Sequence, residues 1–179
     1  MTISYTVPGL KTDTATDIVE TLQIRLHALN DLALTLKHIH WNVVGPQFIA
    51  VHTMLDPQVD GVRVMVDDVA ERIATLGGSP TGTPGALVDA RTWDDYSIGR
   101  DDAIAHLAAL DLVYTGVIED HRTAIDATEE SDPVTQDLLI GQAGDLEQYQ
   151  WFVRAHLENS DGTLRSAGAR SEAEAARQV

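Results

Sequence analysis

Apolar residues in this chain recur at intervals of three, four and seven over long stretches, a period that only helices packed side by side can bury. Ile18, Leu22, Leu29, Leu32 and Leu36 mark a first helix over about Thr14 to Trp41, ended by a turn at Gly45 and Pro46. A second runs from about Pro46 or Phe48 to Leu76 and stops at Gly77, Gly78 and Pro80. Pro57 inside it removes a backbone donor and is expected to bend or locally distort it. A third is expected over about Arg100 to Thr128, with Ile104, Leu107, Leu110, Tyr114, Val117, Ile118 and Ile125 facing inward, before the acidic turn EESDP. A fourth starts after Asp132, an N-cap with Pro133 in the first turn, and reaches about Glu158.

The connection between the second and third helices, SPTGTPGALVDARTWDDYSIG, is too long for a tight turn and is expected to carry a short helix around Trp93 to Ile98. Four long helices with one long crossover describe an all-α, ferritin-like four-helix bundle better than a simple up-and-down bundle. The bundle is placed at 14–158, after an N-terminal arm, 1–13, ordered in part by Tyr5, Val7 and Leu10. The remainder, 159–179, contains DGTLRSAGARSEAEAARQV, small and polar, and reads as a mobile tail.

A length of 179 residues suits one compact domain with a substantial core. No apolar run approaches the roughly 18 residues that span a bilayer. The opening MTISYTVPGLK lacks the basic flank and apolar core of a secretion signal, so a cytoplasmic protein without membrane contact is expected. The absence of cysteine excludes disulfides and thiolate sites, which leaves His, Asp and Glu as ligands suited to iron, manganese or zinc. It also suits exposure to peroxide. A formal net charge of −16 disfavours attraction to phosphate backbones and favours accumulation of cations at the surface.

Five potential ligands, His40, His52, Asp56, Asp67 and Glu71, lie on the first two helices in a way that one chain cannot gather. His52 and Asp67 are roughly 22 Å apart along one helix axis, whereas His40 falls beside His52 if the two helices pack antiparallel. Each chain therefore carries two half-sites, and a two-fold axis would set the histidine end of one chain against the carboxylate end of the other. Asp67 and Glu71 are four apart on one helical face, as are His52 and Asp56. Most such acid pairs are solvated surface. Here Val62, Val66, Val69 and Ile73 surround the pair, Arg63 and Arg72 compensate it only in part, and a cation relieves the repulsion. Asp60 lies on the same stripe and reads as solvated. His38 points to the opposite side of its helix from His40, and His27, His106, His121 and His156 read as structural or surface residues. Trp41 beside His40 suits either plain packing or a shield and sacrificial electron donor.

The stretch KHIHWNVVGPQFIAVHTMLDPQVDGVRVMVDDVAERIATLGG resembles the Dps family, the mini-ferritins or DNA-binding proteins from starved cells. It carries H-W-N-x-x-G-x-x-F-x-x-x-H-x-x-x-D followed by D-x-x-x-E-R, that family's ferroxidase signature, and likeness extends through RTWDDY, TQDLLI and WFVRAHLE over about residues 5 to 158. The resemblance implies that His40, His52 and Asp56 of one subunit face Asp67 and Glu71 of its two-fold mate across a shared di-iron site. It also implies a hollow dodecamer that oxidises Fe2+, preferably with hydrogen peroxide, and stores ferric mineral, sparing the cell and its DNA oxidative damage. Larger ferritins use Glu-x-x-His on later helices, and this chain has no such motif there. Around a trimer axis, Asp137 with Glu129, Glu130 and Asp132 would admit iron, although a solvated acidic loop accounts for the last three equally well.

DNA binding is expected to be weak or absent. The C-terminal segment sets Arg165, Arg170 and Arg177 against Asp161, Glu172 and Glu174, and the N-terminal arm sets Lys11 against Asp13. Two other functions stay open: a metal-dependent hydrolase of an amide or ester at the same carboxylate and histidine site, and a nucleoid-associated protein that binds DNA.

Overall fold

The computed structural model describes residues 3–179. In chain order its elements are α1 (Thr12–Asn42), β1 (Val43–Val44), α2 (Phe48–Thr75), α3 (Pro84–Ala90), β2 (Asp101–Asp102), α4 (Ala103–Thr128), α5 (Pro133–Leu157) and α6 (Glu172–Gln178). α1 packs along α2, and α4 along α5, each pair joined by a short turn. Ile18, Leu22, Leu29, Leu32 and Leu36 are all buried, and meet Leu55, Val62, Val69 and Ile73 from α2, Leu107, Leu110 and Tyr114 from α4, and Leu139, Leu146 and Val153 from α5. α2 stays helical through Pro57, which is exposed and leaves the ligand-bearing stretch continuous.

Two-residue strands decide the topology. β1 pairs in parallel with β2, Val43 opposite Asp101 and Val44 opposite Asp102, so the end of α1 meets the start of α4. α2 and α4 therefore start at the same end of the bundle. The crossover must travel the length of the 28-residue α2, about 42 Å at 1.5 Å per residue. α1 holds it at three heights: Gln23 exchanges hydrogen bonds with the Thr81 backbone (2.9 Å each way), Trp93 Nε1 donates to Asp31 (2.7 Å), and His38 Nε2 donates to the Ile98 carbonyl (2.8 Å).

Several boundaries differ from the sequence reading. The short crossover helix is Pro84–Ala90, with proline in its first turn and Leu87 buried, whereas 93–98 is irregular because Trp93, Tyr96 and Ile98 are drawn onto α1 and α4. α4 starts at Ala103, not Arg100, because Asp102 is its N-cap and accepts from Ile104 N (2.9 Å) and Ala105 N (3.0 Å). In the arm Tyr5 is exposed, Ile3 is the buried anchor, and Val7 and Leu10 pack partly on the core. Gly77, at φ +88°, lies so close to the Tyr5 carbonyl that no side chain fits between them.

The segment 159–179, read as a mobile tail, is folded back on the bundle. Arg165 N bonds the Leu157 carbonyl (3.0 Å), α6 lies against α4 with Ala175 fully buried, and Glu172 accepts from Ser97 N (2.9 Å) and Oγ (3.3 Å). Ser171 caps α6 by accepting from Glu174 N (3.2 Å), and Glu174 in turn accepts from Arg170 N (2.8 Å). This Ser-x-x-Glu cap was present in the sequence, masked by its polar composition.

Candidate metal centre

The turn between α1 and α2 brings His40 and His52 face to face, ring centroids 3.6 Å apart and planes tilted by 25°. His40 Nδ1 lies 3.0 Å from the His52 carbonyl, and His52 Nδ1 lies 2.9 Å from the His40 carbonyl. A carbonyl only accepts, so both rings carry their proton on Nδ1 and leave the Nε2 lone pair free. Metal-binding histidines are held in this way, the second nitrogen anchored to a carbonyl. Asp56, one turn beyond His52, completes a cluster in which one donor atom from each of the three residues lies within 4.8 Å of the others. Among the described residues this is the one such cluster of three or more histidines and carboxylates. His40 is buried, His52 and Asp56 are half-buried, and the Phe48 ring lies 4.9 Å from that of His52.

Lys37, which the sequence reading passed over, enters the site. It lies one turn before His40 on the same face of α1, and its Nζ sits 2.8 Å from Asp56 Oδ1. The same oxygen is 3.3 Å from His40 Nδ1. The Lys37 hydrogen bond, against the opposing effect of partial burial and with help from His40 and His52, holds the Asp56 carboxyl below its ordinary range.

Asp67 and Glu71 do not join this cluster. They stand exposed on α2, Asp67 roughly 16 Å beyond Asp56 along the axis, with Val62, Val69 and Ile73 buried beside them and Val66 half-buried. Arg72 does not offset them, because it is committed elsewhere: Nη2 donates to Asp132 (2.6 Å) and Nε to Thr135 Oγ1 (2.9 Å). Trp41, next to His40, is 72% exposed in the single chain and shields nothing within it.

Of the four acids considered for iron access, Glu129, Glu130 and Asp137 are exposed. Asp132 is not available in the same sense: it is buried, and its carboxylate accepts from Arg72 and from Thr135 Oγ1 (2.5 Å). Burial pushes its pKa up, but the Thr135 and Arg72 hydrogen bonds outweigh it, and the carboxyl lies below its ordinary value. Its role is to tie the start of α5 to the end of α2. A separate cavity of about 720 Å3 lies between α1, α4, the crossover and the C-terminal segment, with Trp93 and Tyr96 in its wall and none of the five ligand candidates.

A long crossover between two antiparallel helix pairs, with ligands near the turn of the first pair, defines a ferritin-like protein, and the family described as a ferritin-like domain matches residues 19–162. The Mycolicibacterium smegmatis "DNA protection during starvation protein" is 61% identical over 173 residues, 97% of this chain and 94% of the relative. The Haemophilus ducreyi "Fine tangled pili major subunit" is 53% identical over 160 residues, 89% and 85% of the two chains. The structure of DpsA14 from Streptomyces coelicolor superimposes with a TM-score of 0.91 at 67% identity, covering 92% of this chain and 98% of that one. The chain belongs to the Dps family of ferritin-like proteins.

Proposed function

We propose that this protein is a ferroxidase and iron store whose di-iron sites form between two-fold mates in a hollow twelve-subunit shell. His40, His52 and Asp56 bind Fe2+ as substrate, facing Asp67 and Glu71 of the partner subunit. What carries the reading is the convergence of His40, His52 and Asp56 donor atoms within 4.8 Å, with both rings held in the tautomer that frees Nε2. The exposed Asp67 and Glu71, uncompensated by Arg72, supply the charge that the cluster lacks.

The residues account for the chemistry as follows. Imidazole and carboxylate donors bind Fe2+ with moderate strength and also stabilise Fe3+. Two Fe2+ held together give two electrons to one peroxide, which leaves as two hydroxides, so no hydroxyl radical escapes. The product Fe3+ then hydrolyses as mineral inside the shell, and exposed acids at Glu129, Glu130 and Asp137 offer cations an approach. The M. smegmatis relative is named for DNA protection. Here protection comes from removing iron and peroxide in the cytoplasm, because a net charge of −16 opposes a phosphate backbone, and the C-terminal segment with its three arginines is folded against α4. Among the described residues no helix is long and apolar enough to cross a membrane.

The deciding experiment loads metal-free protein with Fe2+ under argon, adds a peroxide pulse, and records Fe3+ formation, radical yield and assembly mass. Oxidation of about two irons per peroxide with little radical, on a twelve-subunit particle, is expected. Oxidation no faster than that of free iron on an intact shell would sink the proposal.

A further inference from the structure

We propose that Tyr96, with His106 as its proton acceptor, is a one-electron donor for oxidant produced across α1 at the His40 and His52 site. The inference rests on the iron and peroxide reading above and adds a second way for the chain to dispose of a reactive oxygen species.

Tyr96 Oη lies 3.0 Å from His106 Nδ1, with a longer contact of 3.5 Å to the His106 carbonyl. His106 is fully buried on α4, and its ring also faces the Asn42 backbone. A phenol that donates to Nδ1 requires that nitrogen to carry a lone pair, which places the ring proton on Nε2. Burial, against smaller opposing effects led by Asp101, lowers the basicity of His106 and keeps the ring neutral, ready to accept a proton. Burial, with the carboxylates of Glu172 and Asp101, raises the Tyr96 pKa far above the ordinary phenol value. The phenol is thus no acid or nucleophile at any working pH. Removing an electron changes this, because a phenol radical cation is a far stronger acid than imidazolium.

His38 connects this pair to the site. Its ring meets Tyr96 edge-on, centroids 5.8 Å apart and planes at 67°, and its Nε2 is fixed on the Ile98 carbonyl. His38 and His40 leave opposite sides of α1, so the route from the metal cluster to Tyr96 crosses one helix, about 10–12 Å in diameter, and then the 5.8 Å between the His38 and Tyr96 rings. The packed helix and the His38 ring form a continuous path for the electron, and its length keeps the radical away from the ligands.

The step balances with one iron at a time. A single Fe2+ and peroxide give Fe3+, hydroxide and one hydroxyl-radical equivalent. Tyr96 then supplies an electron, its phenolic proton passes to His106 Nδ1, and the radical equivalent leaves as hydroxide. Tyr96 is left as a neutral radical. A second Fe2+ returns an electron to it, His106 returns the proton, and the sum is again two Fe2+ oxidised per peroxide. A site holding one iron is in this way protected from its own by-product.

The test has two arms on the assembled protein. In the first, iron-free protein is oxidised by flash-generated tris(bipyridine)ruthenium(III) and frozen for electron paramagnetic resonance. A tyrosyl signal is expected, lost in Tyr96→Phe and diminished in His106→Gln, which still accepts the hydrogen bond but takes no proton. Oxidation in the wild type should show a solvent deuterium effect that His106→Gln lacks. In the second arm, Fe2+ short of two per peroxide is added with a spin trap. Trapped hydroxyl radical should rise in Tyr96→Phe while the Fe3+ formed per peroxide falls from about two towards one, which a residue that only pins the crossover would not produce. An equal tyrosyl signal in wild type and Tyr96→Phe overturns the proposal, as does equal trapped radical. If the wild type oxidises iron no faster than buffer does, the ferroxidase reading fails by itself, and the photochemical arm still decides whether Tyr96 is the donor.

Discussion

The rings of His40 and His52 are stacked 3.6 Å apart, and each holds the other's backbone carbonyl through Nδ1. Because His40 is anchored to the backbone of residue 52, His52→Ala leaves that acceptor in place and keeps His40 oriented. The substitution removes one ligand, the stacking contact and one hydrogen bond. Fast iron oxidation should fall to the free-iron rate, while thermal or denaturant unfolding shows a loss of only about 1 kcal/mol. An unchanged stopped-flow rate of Fe3+ formation would remove His52 from the site.

Asp67 and Glu71 lie too far along α2 to reach the histidines of their own chain, so the proposed di-iron site needs two chains. Neither His52→Ala nor the double variant Asp67→Ala, Glu71→Ala should oxidise iron rapidly when assembled alone, although both form shells. Mixed before assembly in equal amounts, half of the pairs are heterodimers with one intact site of two, so activity should return to about a quarter of wild type. Continued inactivity of the mixture, with both chains demonstrated in one particle, would show that the half-sites do not meet across the dimer.

Lys37 places an ammonium 2.8 Å from Asp56 Oδ1, where a metal ion would otherwise find a carboxylate oxygen. Iron binding at Asp56 must displace this partner, a half-buried and solvent-screened ion pair that holds only weakly. Lys37→Met, which keeps the aliphatic stem, should therefore tighten anaerobic Fe2+ binding by up to about fivefold in calorimetry, with most of the change in the weaker of the two irons. Weaker binding instead would mean that Lys37 positions Asp56 rather than competing for it.

Ile18, Leu22, Leu29, Leu32 and Leu36 were legible as one buried stripe because burial in a bundle repeats with the helix itself. The grouping of His40, His52 and Asp56 was legible for a related reason, since a short turn leaves two antiparallel helices little choice of register. Lys37 to Asp56 was not, because a long side chain crosses between helices and spacing along one helix does not report it. The crossover was misplaced at 93–98 because its path is set by Trp93 on Asp31 and His38 on Ile98, contacts that no local propensity encodes. In α6 the capping residues Ser171 and Glu174 were visible, but a small polar composition says nothing about Ala175 finding a buried place against α4.

Gly61 in α2 faces Tyr149 of α5 so closely that an added methyl group would overlap the phenol oxygen and stand 3.2 Å from Cζ. Alanine gains about 1 kcal/mol in helix propensity, whereas overpacking costs about 1–3 kcal/mol. Gly61→Ala should therefore lower stability by about 1 kcal/mol in wild type and raise it in a Tyr149→Phe background, where the clashing oxygen is gone. Denaturant titration of the four chains gives the coupling directly, and additive effects would mean that Tyr149 moves aside at no cost.

His121 is fully buried between the helix pairs, with Nε2 on Gln142 Oε1 (3.1 Å) and Nδ1 without a partner. Burial lowers its pKa from 6.5 to about 4, with the Gln142 hydrogen bond opposing the fall. Below 6.5 the unfolded chain takes up a proton that the folded chain refuses, so the contribution to stability is complete above pH 6.5 and is lost as pH falls towards about 4. The loss amounts to about 3 kcal/mol per chain across that window. Asp132, whose pKa is depressed below 3.8, loses its own contribution only at lower pH, so the two groups separate on the pH axis. Denaturant midpoints of the iron-free protein measured between pH 7.5 and 4.5 should therefore fall in wild type and fall less steeply in His121→Gln, which cannot titrate, with His106 and His27, whose pKa values burial also lowers, carrying the remaining slope. Equal slopes in the two chains would assign the acid sensitivity to another group.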